Sequence, residues 1–522
     1  MKHLKYGLLS LLLIACLLLT CACGQPKAPA DDQTKPTEPD AQPVVLTRED
    51  WATDVKAALN DLMATYGKNG TSPADKPYAV FDFDNTSSIF DVEEQLSVYQ
   101  LSVMAFAVEP ADLKDVLLSG LTDVDQDLTE YGYGKGSLRD WIDDIGAAYD
   151  SLWTAYGPFT AKGVPATRLD ELHKAAEWQE FAAKMRALYS LVYDAQSSNV
   201  AYPWVTYWFT GMTEEEIYDL ACAAYAEYKD VDTSTVTWTS PASIESKTGV
   251  VKYEWTSGIQ VSENIKELWR ALEANGIDVW VCSASCTGAI CAAIDTFGLH
   301  EFCTGMVAMT NKMDESGKYI AECDTQTGCG FYANEGKGWT RMTRPTKAQT
   351  QGVGKVTAIA NAISPEYGDH GPLAGFMDST GDFNFCTEFE TLKLVVCFNR
   401  ANRKVTDGGG LAAEVAIYQK DTLGYDLKKA NAAGDTLYVL QGRDENGKRT
   451  LRNSNKTVLL GSSEETLFKN ADNEAQLQKM IDDGMTTKDI LNTWSIKQPA
   501  GENGFGFNTG FLTEYAGYHS HP

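Results

Sequence analysis

A chain of 522 residues with 43 % apolar composition is long enough for one large domain or about two to four ordinary ones, and too apolar to stay unfolded. Its 44 Lys and Arg against 72 Asp and Glu leave a net charge of -28, which repels phosphate backbones and anionic lipid. Nucleic acid and the membrane surface are thereby excluded as general partners, and an anionic substrate would need a local cation.

The first 23 residues place Lys2, His3 and Lys5 ahead of an apolar stretch from Leu8 to Leu19 that is short for a spanning helix, the pattern of an export signal. Residues 24–45 are rich in Pro, Asp and Lys and cannot bury enough apolar area to fold. A signal ending at a cysteine before a polar tether resembles a bacterial lipoprotein. The resemblance implies acylation of Cys23, with Cys16 or Cys21 as rival processing sites and cleavage without lipidation as the other reading. It places the chain outside the cytoplasm, anchored by lipid to the outer face of the cytoplasmic membrane or free in the periplasm. Nine cysteines follow Cys23. Cys323 and Cys329, in a turn-rich segment, are the expected disulfide couple, and the others read as small core residues. No CxxC or CxxH spacing suggests zinc.

Trp51, Val55, Leu59, Leu62 and Tyr66 follow helical spacing, which predicts a helix over 48–66 capped by Thr47. The near-continuous apolar run YAVFDFD at 78–84 predicts a strand buried on both faces. From about 91 to 250 the sequence is helix-like, aromatic and acidic, with breaks expected at Gly120, GYGKGS, Pro158, KGVP and AYPW. A helix carrying Ile265, Leu268, Trp269 and Leu272 then precedes the strand IDVWVCSAS, and residues 305–345 read as inserted hairpins. A second helix with Val356, Ile359, Ala360 and Ile363 precedes the strand LAGFMD, and LKLVVCFN is a further buried strand. Strands alternating with helices predict an α/β fold with a doubly wound parallel sheet, interrupted once by a large, mainly helical insertion after the first core strand. The expected domains are a core over 46–90 and 255–445, a helical insertion over 91–254, and an extension of unknown role over 446–522.

Three strand ends carry polar clusters: Asp82 and Asp84, Ser283 and Ser285, Asp378 and Asp382. In open parallel sheets ligands bind outside the carboxyl ends of the strands, so these groups should converge. Converging carboxylates raise one another's pKa unless a cation neutralises them, and hard oxygen donors suit Mg²⁺. Taken in order, DFDNT at 82–86, SAS at 283–285, GVGKVTAI around Lys355 and DSTGD at 378–382 resemble the four motifs of the haloacid dehalogenase superfamily of phosphatases. The resemblance implies a phosphomonoesterase with Asp82 as nucleophile, Asp84 as general acid and base, and Thr86 orienting the loop. Asp82, the backbone carbonyl of Asp84 and Asp378 would hold Mg²⁺, with Asp382 acting through water. Ser283 and Lys355 would bind phosphate oxygens, Lys347 being the rival lysine.

The stretch DFDNTSSIFDVEEQLSVYQL is further similar to the start of bacterial phosphorylcholine phosphatases, which carry an acidic tract after the nucleophile. That similarity carries a choline-binding role to Glu94, with Asp91 and Glu93 nearby. A quaternary ammonium is held best by aromatic faces and carboxylates. Tyr202, Trp204, Tyr207, Trp208 and Phe209 in YPWVTYWF are candidates for an aromatic cage, or else packed core of the helical insertion, while Ser285 is a further candidate contact. The expected substrate is a small phosphomonoester such as phosphocholine or phosphoethanolamine, with no obligate protein partner. The alternatives are a substrate-binding lipoprotein that keeps the fold without turnover, and another phosphotransferase of the same superfamily.

Overall fold

The computed structural model describes residues 43–497 apart from 69–71, 335, 337, 402–407, 463 and 466–470. The expected signal, Cys23 and most of the linker lie outside the described residues. Among those described, no helix is long and apolar enough to cross a membrane.

The fold is α/β, built on a mixed, mostly parallel central sheet of eleven strands. In chain order these are β1 (Tyr78–Phe81), β2 (Asp278–Cys286), β3 (Gly305–Met309), β4 (Cys329–Asn334), β5 (Gly338–Arg341), β6 (Ala374–Met377), β7 (Leu394–Phe398), β8 (Leu437–Asp444), β9 (Thr450–Arg452), β10 (Thr457–Val458) and β11 (Glu464–Glu465). The spatial order is β11-β10-β8-β7-β6-β1-β2-β3-β4-β5, with β9 against β8. The six strands from β8 to β3 run parallel, while β4 and β5 are antiparallel additions at one edge. From β1 the chain moves outward through β2 and β3, then resumes on the other side with β6, β7 and β8. The order therefore reverses between β1 and β6, which opens a crevice at their carboxyl ends.

Alternation along each strand sorts the core into two faces. Phe81, Val281, Phe376 and Val396 pack against the helices Thr53–Tyr66, Glu263–Ala274 and Thr287–Thr296. Val80, Cys282, Met377 and Val395 pack on the opposite side against Val353–Ala358, its wider-turned continuation Ile359–Ile363, and Gly408–Asp421. The Phe81 and Phe376 rings stack with centroids 3.7 Å apart, locking β1 to β6. Each such buried side chain contributes about 1.5–3 kcal/mol relative to exposure.

Between β1 and β2 the segment Val92–Tyr228 is helical and has its own core around Trp141, Tyr149, Phe181 and Trp204. Capping boxes at Ser137/Asp140 and Thr213/Glu216 begin two of its helices. A hairpin, Ser234–Thr239 with Lys252–Ser257, leads back toward the sheet.

Several local expectations change. The first helix begins at Thr53, because Thr47 turns its hydroxyl to Glu267, 2.7 Å away, instead of capping. AYPW is no break: Pro203 lies inside the helix Ser198–Thr206, where burial of Trp204 and Val205 outweighs the amide that proline lacks. Within 305–345, β3 is a parallel strand of the sheet and β4–β5 an edge hairpin; only Asn311–Met313 with Tyr319–Cys323 stands apart. All nine described cysteines are free, Cys323 and Cys329 included, since they sit on strands of different sheets. Beyond 445, β9 and β10 pair with β8, so the sheet extends into the segment read as an extension.

Candidate functional site

The loop after β1 is wound tightly. The Phe83 carbonyl accepts the amides of Thr86, Ser87 and Ser88, and the Ser87 hydroxyl donates to the Asp82 carbonyl at 2.7 Å. Asn85 takes the left-handed conformation (φ 62°), one that asparagine tolerates better than most residues. This winding lets Asp82 and Asp84 both line one pocket of about 110 Å³.

Three further segments meet Asp82. Lys355, in the first turn of Val353–Ala358, is 1 % exposed and places Nζ 2.6 Å from both Asp82 Oδ1 and Asp382 Oδ1. Asp378 follows β6, receives the Thr86 hydroxyl at 3.3 Å on Oδ1, and pairs through Oδ2 with Arg400 Nη1 at 3.0 Å. One carboxylate oxygen each from Asp82, Asp378 and Asp382 lies within 4.8 Å of the others. Burial, reinforced by the neighbouring carboxylates, raises the pKa of Asp82 and carries that of Asp382 well above the usual range. Burial alone would discharge Lys355, but Asp382 and Asp82 together hold its pKa well above the ordinary value. Lys347 is exposed and takes no part in this cluster.

Asp84 is held differently. Its Oδ2 accepts the Ser285 hydroxyl at 2.5 Å and its Oδ1 the Val92 amide at 2.6 Å, which turns the carboxylate away from the three-oxygen cluster. Burial, then Asp91 and Asp82, raise its pKa well above the ordinary value. The upward shift favours the protonated carboxyl, the form that can donate to a leaving oxygen. Ser283 does not line the pocket: it is fully buried, and its hydroxyl accepts the Ser285 amide at 3.1 Å, so Ser285 is the serine presented to the site.

The acidic tract is largely neutralised. Asp91 caps the helix Val92–Val103 by accepting the Glu94 amide, and burial, then the charge of Glu94, raise its pKa to about 6. Glu93 accepts the Cys286 amide at 2.6 Å, and burial lifts its pKa to about 8. Glu94 is ion-paired with the buried Arg186 and faces an adjoining vestibule of about 720 Å³ rather than the pocket itself. Trp204, Tyr207 and Trp208 form no cage. Trp204 is 1 % exposed with its indole N–H on the Leu117 carbonyl, its ring meets Trp208 edge-on, and the Tyr207 hydroxyl accepts the Cys323 amide. Of that aromatic run, Tyr202 and Val205 alone reach the pocket.

Sequence reasoning missed Tyr189, Gln351 and Arg400, which also line the pocket. Each stands alone in the sequence; position after the strand LKLVVCFN was the one available signal for Arg400. Among the described residues the donor set is three oxygen atoms from clustered, buried carboxylates, with Lys355 and Arg400 at contact distance, and oxygen donors of this kind suit a hard divalent cation such as Mg²⁺.

No family model and no curated protein matches the chain. Among solved structures it is similar to a conserved functionally unknown protein from Anaerococcus prevotii DSM 20548, with 25% sequence identity and a TM-score of 0.63. The match covers 78% of this chain and 97% of that one.

Proposed function

We propose that the chain is a Mg²⁺-dependent phosphomonoesterase of the haloacid dehalogenase type, with a doubly wound core and the helices between β1 and β2 as its cap. The observation that carries this reading is the meeting of Asp82, Asp378, Asp382 and Lys355 at one pocket, beside Asp84, whose pKa burial and the neighbouring carboxylates Asp91 and Asp82 hold well above the ordinary value. Asp82 attacks phosphorus while the bond from phosphorus to the leaving oxygen breaks, and Asp84 gives its proton to that oxygen. Asp84 then takes a proton from a water that attacks the aspartyl phosphate, releasing inorganic phosphate and restoring Asp82. Lys355 offsets charge on the transferred phosphoryl group, and Ser285 orients Asp84. Asp82 and Asp378 would hold Mg²⁺, with Asp382 close by; when bound, the ion neutralises charge on the phosphoryl oxygens.

For the leaving group, Tyr189 and Tyr202 supply aromatic faces beside Asp91, which suits a small cationic head such as choline or ethanolamine; Glu94 is already matched by Arg186. Export and a lipid anchor at Cys23 complete the reading. The test is release of phosphate from p-nitrophenyl phosphate and from phosphocholine with Mg²⁺ and with chelator. Turnover that needs Mg²⁺ and disappears in Asp82→Asn supports the enzyme. No release from any phosphoester at any pH overturns it in favour of a binding protein.

A further inference from the structure

The guanidinium of Arg443 is buried at the carboxyl end of β8, a strand separated from β1 by β6 and β7. Its Nη1 donates to the Asn85 carbonyl at 2.6 Å, and Nη2 reaches Asn85 Oδ1 at 3.4 Å. The rest of the fork, Nε and Nη2, donates to Glu445 Oε1 at 3.0 and 2.6 Å. Asn85 is the left-handed residue directly after Asp84, and its own amide is held by the Phe90 carbonyl at 3.3 Å. Asn85 is thus held at both its carbonyl, by Arg443, and its amide, by the Phe90 carbonyl.

A buried ion pair contributes little to stability compared with apolar residues of the same volume, because desolvating two charges offsets their attraction. The pair is therefore weak evidence of a stabilising role, and what the free arm of the Arg443 fork holds is the Asn85 carbonyl. We infer that Arg443, braced by Glu445, is a positioning residue that sets where Asp84 stands when it protonates the leaving oxygen. This rests on the phosphatase reading above and goes beyond it: it ties the acid step, rather than the attack by Asp82, to a strand on the far side of the sheet. In that step the bond from phosphorus to the leaving oxygen breaks and the Asp84 proton passes to that oxygen. A displaced Asp84 matters most where the leaving group is basic.

The test compares kcat/KM for p-nitrophenyl phosphate, whose leaving group needs little protonation, with phenyl phosphate, whose leaving group needs more. Arg443→Met should lose about 100-fold on phenyl phosphate, the scale of a 1 Å misplacement, and less than about tenfold on p-nitrophenyl phosphate. Arg443→Lys, which keeps a charge for Glu445 but not the fork, should fall between and guards against a folding failure in the methionine variant. In an Asp84→Asn background Arg443→Met should add no further leaving-group dependence, since the two act through one group. Equal losses on both substrates in properly melting variants, or added dependence in the Asp84→Asn background, overturn the inference while leaving the phosphatase reading intact. A wild-type chain that cleaves neither substrate overturns both.

Discussion

Removing the ammonium of Lys355 should turn the floor of the site against the fold, in a way that depends on pH. The lysine is the buried counter-charge to Asp82 and Asp382, each 2.6 Å from Nζ, and both carboxylates already sit above their ordinary pKa. Lys355→Met leaves them facing Asp378, which is paired with Arg400, and taking one partner from a buried pair costs about 3–5 kcal/mol. Spread over roughly 450 folded residues at about 2.1 cal/mol/K each, that is a fall in Tm of about 3–5 °C near pH 8. The sign with pH follows from the direction of the shifts. The folded state holds protons that the unfolded chain releases near pH 4, so stability declines as pH rises above about 4 and the deficit of the variant shrinks toward pH 5. Mg²⁺, by returning positive charge to the same oxygens, should raise the Tm of the variant more than that of the wild type. Thermal melts at pH 5 and 8, with Mg²⁺ or with chelator, give all four values. A deficit equal at both pH values and indifferent to Mg²⁺ would refute the idea that lysine and metal neutralise one carboxylate cluster.

Glu93 has a folded pKa of about 8 against an ordinary 4.5, so it binds a proton in the fold that the unfolded chain gives up, and stability should fall between about pH 5 and 8. Glu93→Gln should remove that decline, up to about 1.4 kcal/mol per pH unit, as read by denaturant unfolding across that range. Trp204→Ala should cost about 3–5 kcal/mol of stability and leave KM unchanged, because its side chain is core. Tyr202→Ala should raise KM for phosphocholine severalfold while melting within a few degrees of wild type; the opposite assignment of effects would show that the pocket wall has been misread.

The convergence of DFDNT, SAS, Lys355 and DSTGD was legible because each abuts an apolar run or opens a helix, and a parallel sheet delivers such ends to one edge. Which side chain of SAS faces the site was not legible, since Ser283 and Ser285 share one face of the strand by alternation and the bond from the Ser285 amide to the Ser283 hydroxyl, which ties Ser283 down, depends on the folded geometry. YPWVTYWF left cage and packed core both open for a related reason. The end of the helix Ser198–Thr206 and the turn Tyr207–Phe209 point most of their rings at neighbouring elements that cannot be located in advance, and of those rings only Tyr202 ended at the pocket. Strand β8 was overlooked because LYVLQGRD carries Gln441 and Arg443 in a buried run, and polar residues in buried strands are recognisable only once their partners are in place. Cys323 and Cys329 are close in sequence, but proximity along the chain does not bring thiols together when a turn sends them to different sheets.

Strand β1 makes its two neighbours late. Ala79 pairs with Val279, 200 positions on, and with Ala374, 295 positions on. Closing the first of these loops as a random coil would carry an entropic penalty of about 4.7 kcal/mol. The chain must therefore be made through Met377 before the segment bearing Asp82 can be sandwiched, and prior condensation of the intervening helices shortens the gap to be closed. Assembly should be slow, with the apolar tetrapeptide Tyr78–Phe81 waiting longest for cover.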